Sequence, residues 1–187
     1  MAVPSWLAER RWAIADRWLR EALTSYSDEA ARAFERNQDR FANPVGHALR
    51  SGTQAAVEAL FDGRDAQAVS ACLEDAIKIR AVQQFAPSEA LRFVFLLKDA
   101  IRAVWDAAPH DVRDRSELVE LEDRIDQIAL RAFDMFMGYR ERVYELRLNE
   151  VKRTVPVLVE RFYARYGETP PAGELVELER PERTATE

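Results

Sequence analysis

The chain has a single cysteine, Cys72, and two histidines, His47 and His110. One thiol excludes an intrachain disulfide and a thiolate zinc cluster. Two imidazoles leave little for nitrogen-ligated metal chemistry. Glycine is scarce, six in 187 residues, which argues against a turn-rich β fold and against Gly-rich phosphate loops. The longest apolar run, Phe93 to Leu97, falls far short of the roughly 20 residues needed to span a bilayer. The opening stretch MAVPSWLAERRW carries charge where a secretory signal would be apolar. A cytoplasmic protein with no membrane span is expected.

What remains is enough for a core. At 187 residues folding can bury roughly 70% of the unfolded surface. The 48% apolar content is globular in kind. Net charge is −6, and residues 167–187, with six Glu and two Arg, hold −4 of it. No basic face stands out, so nucleic-acid binding through phosphates is not expected. Arginine supplies nearly all the positive charge, with lysine only at 78, 98 and 152.

Proline and capping residues divide the sequence into helical blocks, and no segment has the two-residue period of a strand. Pro4-Ser5 opens the first, with Leu7, Ile14, Trp18 and Ala22 on one stripe and Trp6 and Trp12 off it. Ser25 and Asp28 resemble a capping box for the second. Asn43-Pro44 is the cleanest start signal, a side-chain cap followed by a residue whose missing N–H would be unpaired anyway. The third block carries Val45, Ala48, Leu49, Gly52, Ala56, Ala59 and Leu60 on one face, small enough for close helix approach. In the fourth, Val69, Cys72, Leu73, Ala76, Ile77 and Arg80 are in register. The fifth starts at Pro87, and Phe93-Val-Phe-Leu-Leu97 predicts burial on every side. From Ser116 to Tyr166 only Pro156 interrupts the helical pattern, predicting two helices or one long bent helix. A single helical domain over 1–166 and an acidic, disordered tail over 167–187 are expected.

Four segments carry a resemblance: Asn43-Pro-Val-Gly-His-Ala-Leu49, Ile79-Arg-Ala-Val-Gln-Gln-Phe-Ala-Pro-Ser88, Arg124-Ile-Asp-Gln-Ile-Ala-Leu130 and Tyr144-Glu-Leu-Arg-Leu-Asn-Glu-Val-Lys-Arg153. Together they resemble the N-terminal sensor domain of RsbR-type proteins, the RsbT co-antagonists of bacterial stressosomes. The resemblance implies an all-α, globin-like domain that has lost haem and works as a homodimer. It also implies a C-terminal STAS domain, for which the roughly 20 residues after the last helix are too few. An antiparallel helix bundle is the competing architecture. No cofactor is expected, and no catalytic residue. The function expected is a non-enzymatic sensory domain that docks a protein partner in stress signalling, with a small-molecule ligand as a possible input. A haem- or ligand-binding gas sensor with non-standard ligands is the alternative.

Candidate residues follow. A haem globin of this type needs a histidine on the helix before Pro87, and residues 65–86 contain none. Cys72 reads as a small buried hydrophobe. His47 is either a hydrogen-bonded residue near a helix start or a polar group at a pocket mouth. Arg80, Gln83 and Gln84 are either the solvated end of a helix or replacements for haem contacts, filling a pocket or holding a small anion. Leu118, Leu121, Ile125, Ile128, Ala132, Met135 and Tyr139 form three heptads, a candidate dimer seam. Glu145, Arg147, Glu150 and Arg153 form a charged face, either solvated or a partner surface.

Overall fold

The computed structural model describes residues 3–36, 39–83 and 85–167. Among them are eight α-helices and one 3-10 turn, and no strand. The helices are α1 (Ser5–Ala8), α2 (Arg11–Leu23), α3 (Asp28–Arg36), α4 (Pro44–Phe61), α5 (Ala66–Ala71), α6 (Glu74–Val82), α7 (Pro87–Asp106) and α8 (Arg115–Tyr166). The all-α class and the long last helix are as expected. The first expected block breaks at Glu9-Arg10 and the fourth at Cys72-Leu73, which raises the count to eight.

Capping chemistry sets several starts. Asn43 Oδ1 accepts from the Gly46 N–H at 2.8 Å, and its Nδ2 donates to the Phe34 carbonyl at 2.9 Å, tying α3 to α4. Asp65 Oδ1 accepts from the Ala68 N–H at 2.8 Å and starts α5. For α3 the cap is Ser27, whose Oγ accepts from the Ala30 N–H. Ser25, expected in that role, instead donates to the Ala22 carbonyl at the end of α2.

The chain divides into two compact units, residues 1–143 and 144–187. In the first, α2 packs on α4 and α7, α4 on α3, α5 and α6, and α6 on α7. Trp18 lies at the centre of this packing, stacked on Phe93 and donating its indole N–H to the Phe93 carbonyl at 2.6 Å. Trp6, off the α1–α2 stripe, packs its ring on Trp105 with centroids 5.1 Å apart. Gly52 lets α4 approach the Cys72 carbonyl, 3.0 Å from where a Cβ would stand.

The expectation that Phe93–Leu97 is covered on all sides needs correction. Phe93, Val94 and Leu97 are buried, but Phe95 is 47% exposed and Leu96 only half-buried. Five consecutive helical residues point around the whole circumference. One side of α7 is left uncovered, and Phe95 lies on it.

Arginine ties helix ends together across this unit. Arg11 Nε donates to the Ala8 carbonyl at 2.9 Å, and Arg80 Nη2 to the Ala22 carbonyl at 3.2 Å. Arg124 Nη2 bridges the Leu60 and Arg64 carbonyls at 3.1 and 2.9 Å. Arg140 Nη1 reaches the Ala81 carbonyl at 3.3 Å. The last turns of α1, α2, α4 and α6 thus each receive a guanidinium, where unpaired carbonyls and the helix dipole favour a cation. A planar fork with five donors suits this better than a lysine ammonium.

The helix α8 continues through Pro156 as one element, so the alternative of two helices is not realised. Proline has no N–H, and the Lys152 carbonyl loses its helical donor there. Residues 144–165 are exposed, apart from a half-buried Tyr163. The expected disordered tail lies, from residue 168 on, outside the described residues.

Candidate functional site

Arg80 occupies the interior. It is 1% exposed, which excludes the solvated helix end. Its Nη2 also donates to Ser25 Oγ at 2.9 Å, and Nη1 to the Ala90 carbonyl at 3.3 Å. The rings of Phe93, Tyr26 and Phe85 lie 4.7, 5.2 and 5.6 Å from its guanidinium carbon. Among the described residues it forms no ion pair, and its Nε is buried without a partner. Burial lowers its pKa from the usual arginine value, against the opposing pull of Tyr26. Burial likewise raises the Tyr26 phenol, and the Arg80 charge resists that rise. Carbonyl dipoles and ring faces take the place of a carboxylate.

Only part of the expected polar cluster assembles here. Gln83 is exposed and accepts from the Tyr26 hydroxyl at 3.2 Å, so it joins Arg80 through Tyr26. Gln84 lies outside the described residues. His47 sits half-buried in the first turn of α4, and no hydrogen bond or ring contact joins it to Arg80. Cys72 is half-buried, its thiol directed at the Ala68 carbonyl, and burial pushes its pKa up. Among the described residues no group of three His, Cys, Asp or Glu could hold a metal.

The candidate seam on α8 has the expected register but a different neighbour. Leu121, Ile125, Ile128 and Ala132 are buried in the core of the first unit, and Leu118, Met135 and Tyr139 pack against it. Leu121, Ile125, Ile128 and Ala132 are covered by the chain's own helices, while Leu118, Met135 and Tyr139 stay partly exposed. Phe136 and Ala129 are buried with them.

Two grooves flank this stretch. One, of about 630 Å³, runs between α7 and α8 and is lined by Pro87, Leu91, Phe95, Ala129, Leu130 and Phe133. Its rim carries Arg92 and Asp126, the latter paired with Lys98 at 2.7 Å. Sequence reading missed it because Leu130 and Phe133 lie off the buried stripe. The other, of about 470 Å³, lies between α5–α6 and α8 and carries Glu74, Arg131, Asp134 and Arg142. There the Tyr139 hydroxyl donates to Glu74, and this hydrogen bond raises the phenol pKa. Lys78 and Arg142 approach the same ring.

In the second unit Tyr144, Leu148, Val151, Val155, Leu158 and Phe162 alternate four and three residues apart. Each is between 50% and 59% exposed. Glu145 and Arg147 flank this stripe, with Glu150 and Arg153 further round, and all four are exposed.

Comparison with family models gives one finding. The model of the RsbT co-antagonist protein rsbRD N-terminal domain matches residues 12–151, three quarters of the chain. The chain belongs to that family. The match takes in α2 to α7 and the first two thirds of α8, and with them Arg80 and both grooves of this RsbRD-type domain. No curated protein and no solved structure matches the chain. No helix among the described residues is long and apolar enough to cross a membrane.

Proposed function

We propose that this chain is a non-enzymatic, haem-free, globin-like sensory domain of bacterial stress signalling, a cytoplasmic homodimer that docks a protein partner. Its family supports the signalling role. The observation that carries the reading is the exposed stripe of α8. Leu148, Val151, Val155 and Leu158 repeat in the four–three pattern of a two-helix seam, and they stand exposed among the described residues. Soluble chains rarely leave so long an apolar row uncovered. A second copy of the same helix supplies a matching row, and it replaces the buried seam as the dimer contact. Glu145, Arg147, Glu150 and Arg153 lie beside or behind that row, where they can meet a partner once it is closed. Signalling then works by helix repacking, with input from a ligand or protein that binds one packing better than the other. The absence of histidine from residues 65–86, and an interior filled by Arg80 and three aromatic rings, support the haem-free part.

Light scattering of the full chain across a concentration series tests the dimer. The expected mass is twice 21.5 kDa. Leu148→Asp combined with Val155→Asp should give monomers with unchanged helix content. A monomer mass for the unaltered chain at every concentration would refute the dimer. A stoichiometric Soret band after expression with haem supply would refute the haem-free reading in favour of a gas sensor.

A further inference from the structure

Five glycines lie among the described residues, and the fold itself uses four. Gly46 leaves room for the Asn43 amide, and Gly52 for the Cys72 carbonyl. Gly63 and Gly167 adopt φ of 77° and 76° after helix ends, where a side chain is strained. Gly138 has none of these reasons. It lies inside α8, and beyond that helix's own adjoining backbone no described atom stands within 4 Å of where its Cβ would be. Glycine inside a helix costs about 1 kcal/mol against alanine, and no packing among the described residues offsets it.

Gly138 lines the groove between α5–α6 and α8, as does Ala71 of α5. Arg131 stands two turns before it and Arg142 one turn after, about 16 Å apart along one helix face. Arg131 and Asp134 make no hydrogen bond or ion pair with the described residues, and Arg142 touches only the Tyr139 ring. The acid of the opposite wall, Glu74, is engaged by the Tyr139 hydroxyl. That spacing matches carboxylates three turns apart on a facing helix. A missing side chain between them lets another backbone approach closely, as at helix crossings built on small residues.

We infer that this groove seats a helical segment of another protein, packed over Gly138 and bringing carboxylates three turns apart to Arg131 and Arg142. A basic residue between those carboxylates meets Asp134. The inference deepens the docking role proposed above and rests on it. The probe is a labelled helical peptide with two Glu eleven residues apart, one Lys between and alanine elsewhere on that face. Its control carries Gln for both Glu. Fluorescence anisotropy at low salt should give at least tenfold tighter binding of the Glu peptide to the full chain. Gly138→Leu, and separately Arg131→Glu with Arg142→Glu, should each weaken it at least tenfold. The Gly138→Leu melting temperature should not fall, since open space receives the side chain. Equal binding of the two peptides, no binding of either, variants that bind like the parent, or a lowered Gly138→Leu melt would overturn the proposal. Conversion of a dimer to a monomer by Gly138→Leu would overturn it too, by making the groove a self-interface. A monomeric parent chain that still prefers the Glu peptide supports the groove and removes only the dimer.

Discussion

Replacing Arg80 separates two opposing effects that its surroundings set against each other. The guanidinium makes good hydrogen bonds to Ser25 and to the Ala22 and Ala90 carbonyls, and it packs three rings. Hydrogen bonds to a charged group contribute about 1.5–3 kcal/mol each. Against them stands the cost of burying a cation without a carboxylate, several kcal/mol. Arg80→Ala loses the bonds and leaves a hole among Tyr26, Phe85 and Phe93, so it should cost about 3–4 kcal/mol. Arg80→Met fills most of that hole and removes the desolvation cost. The Ala22 carbonyl still accepts from Ser25 Oγ at 2.8 Å in that variant. Its expected cost is about 1 kcal/mol. Arg80→Lys keeps the charge, but one ammonium cannot span the α2 and α7 carbonyls, and it should fall between. Urea unfolding followed by circular dichroism measures all three, provided the slopes agree. An alanine variant within about 1 kcal/mol of the parent would refute the cage as a structural centre. A methionine variant as unstable as alanine would refute the claim that desolvation offsets the bonds.

Two further outcomes test the core and the phenol beside Arg80. Phe93→Ala should cost about 3–5 kcal/mol and Phe95→Ala less than about 1 kcal/mol, read from denaturant midpoints, because only the first ring is buried. Tyr26, whose pKa is raised in the folded chain, holds its proton more tightly there than in the unfolded chain. Its contribution to stability is therefore complete below about pH 10 and is lost as pH rises through the folded value. Tyr26→Phe should flatten that alkaline loss and remove a late-titrating phenolate absorbance.

Much of the fold was legible where local chemistry decides it. Asn43-Pro44 announced α4 because cap and proline act on adjacent atoms, and the α8 register was correct from Leu121 to Ala132. What covers that register was not legible. An apolar stripe looks the same whether its neighbour belongs to the same chain or to another. Phe95 was misread because a run of five apolar residues has no polar member to mark its outer side. Arg80 was signalled more clearly than it was read. It continues the stripe of Val69, Leu73, Ala76 and Ile77, and an arginine at that spacing points inward. Its partners were hidden because they are backbone carbonyls of α2 and α7, which no residue type reveals.

The arginine ties at the helix ends have a consequence for behaviour in salt. Dissolved ions screen exposed charge pairs, so Lys98–Asp126 and Arg102–Glu122, which join α7 to α8, weaken as ionic strength rises. A peptide carbonyl carries no net charge, and a guanidinium hydrogen-bonded to it away from solvent is screened much less. Arg80, Arg124 and Arg140 therefore keep hold of α2, α4 and α6 after the carboxylate pairs have weakened. Salt loosens the α7–α8 side first, the side that carries the apolar groove, while the opposite helices stay clamped.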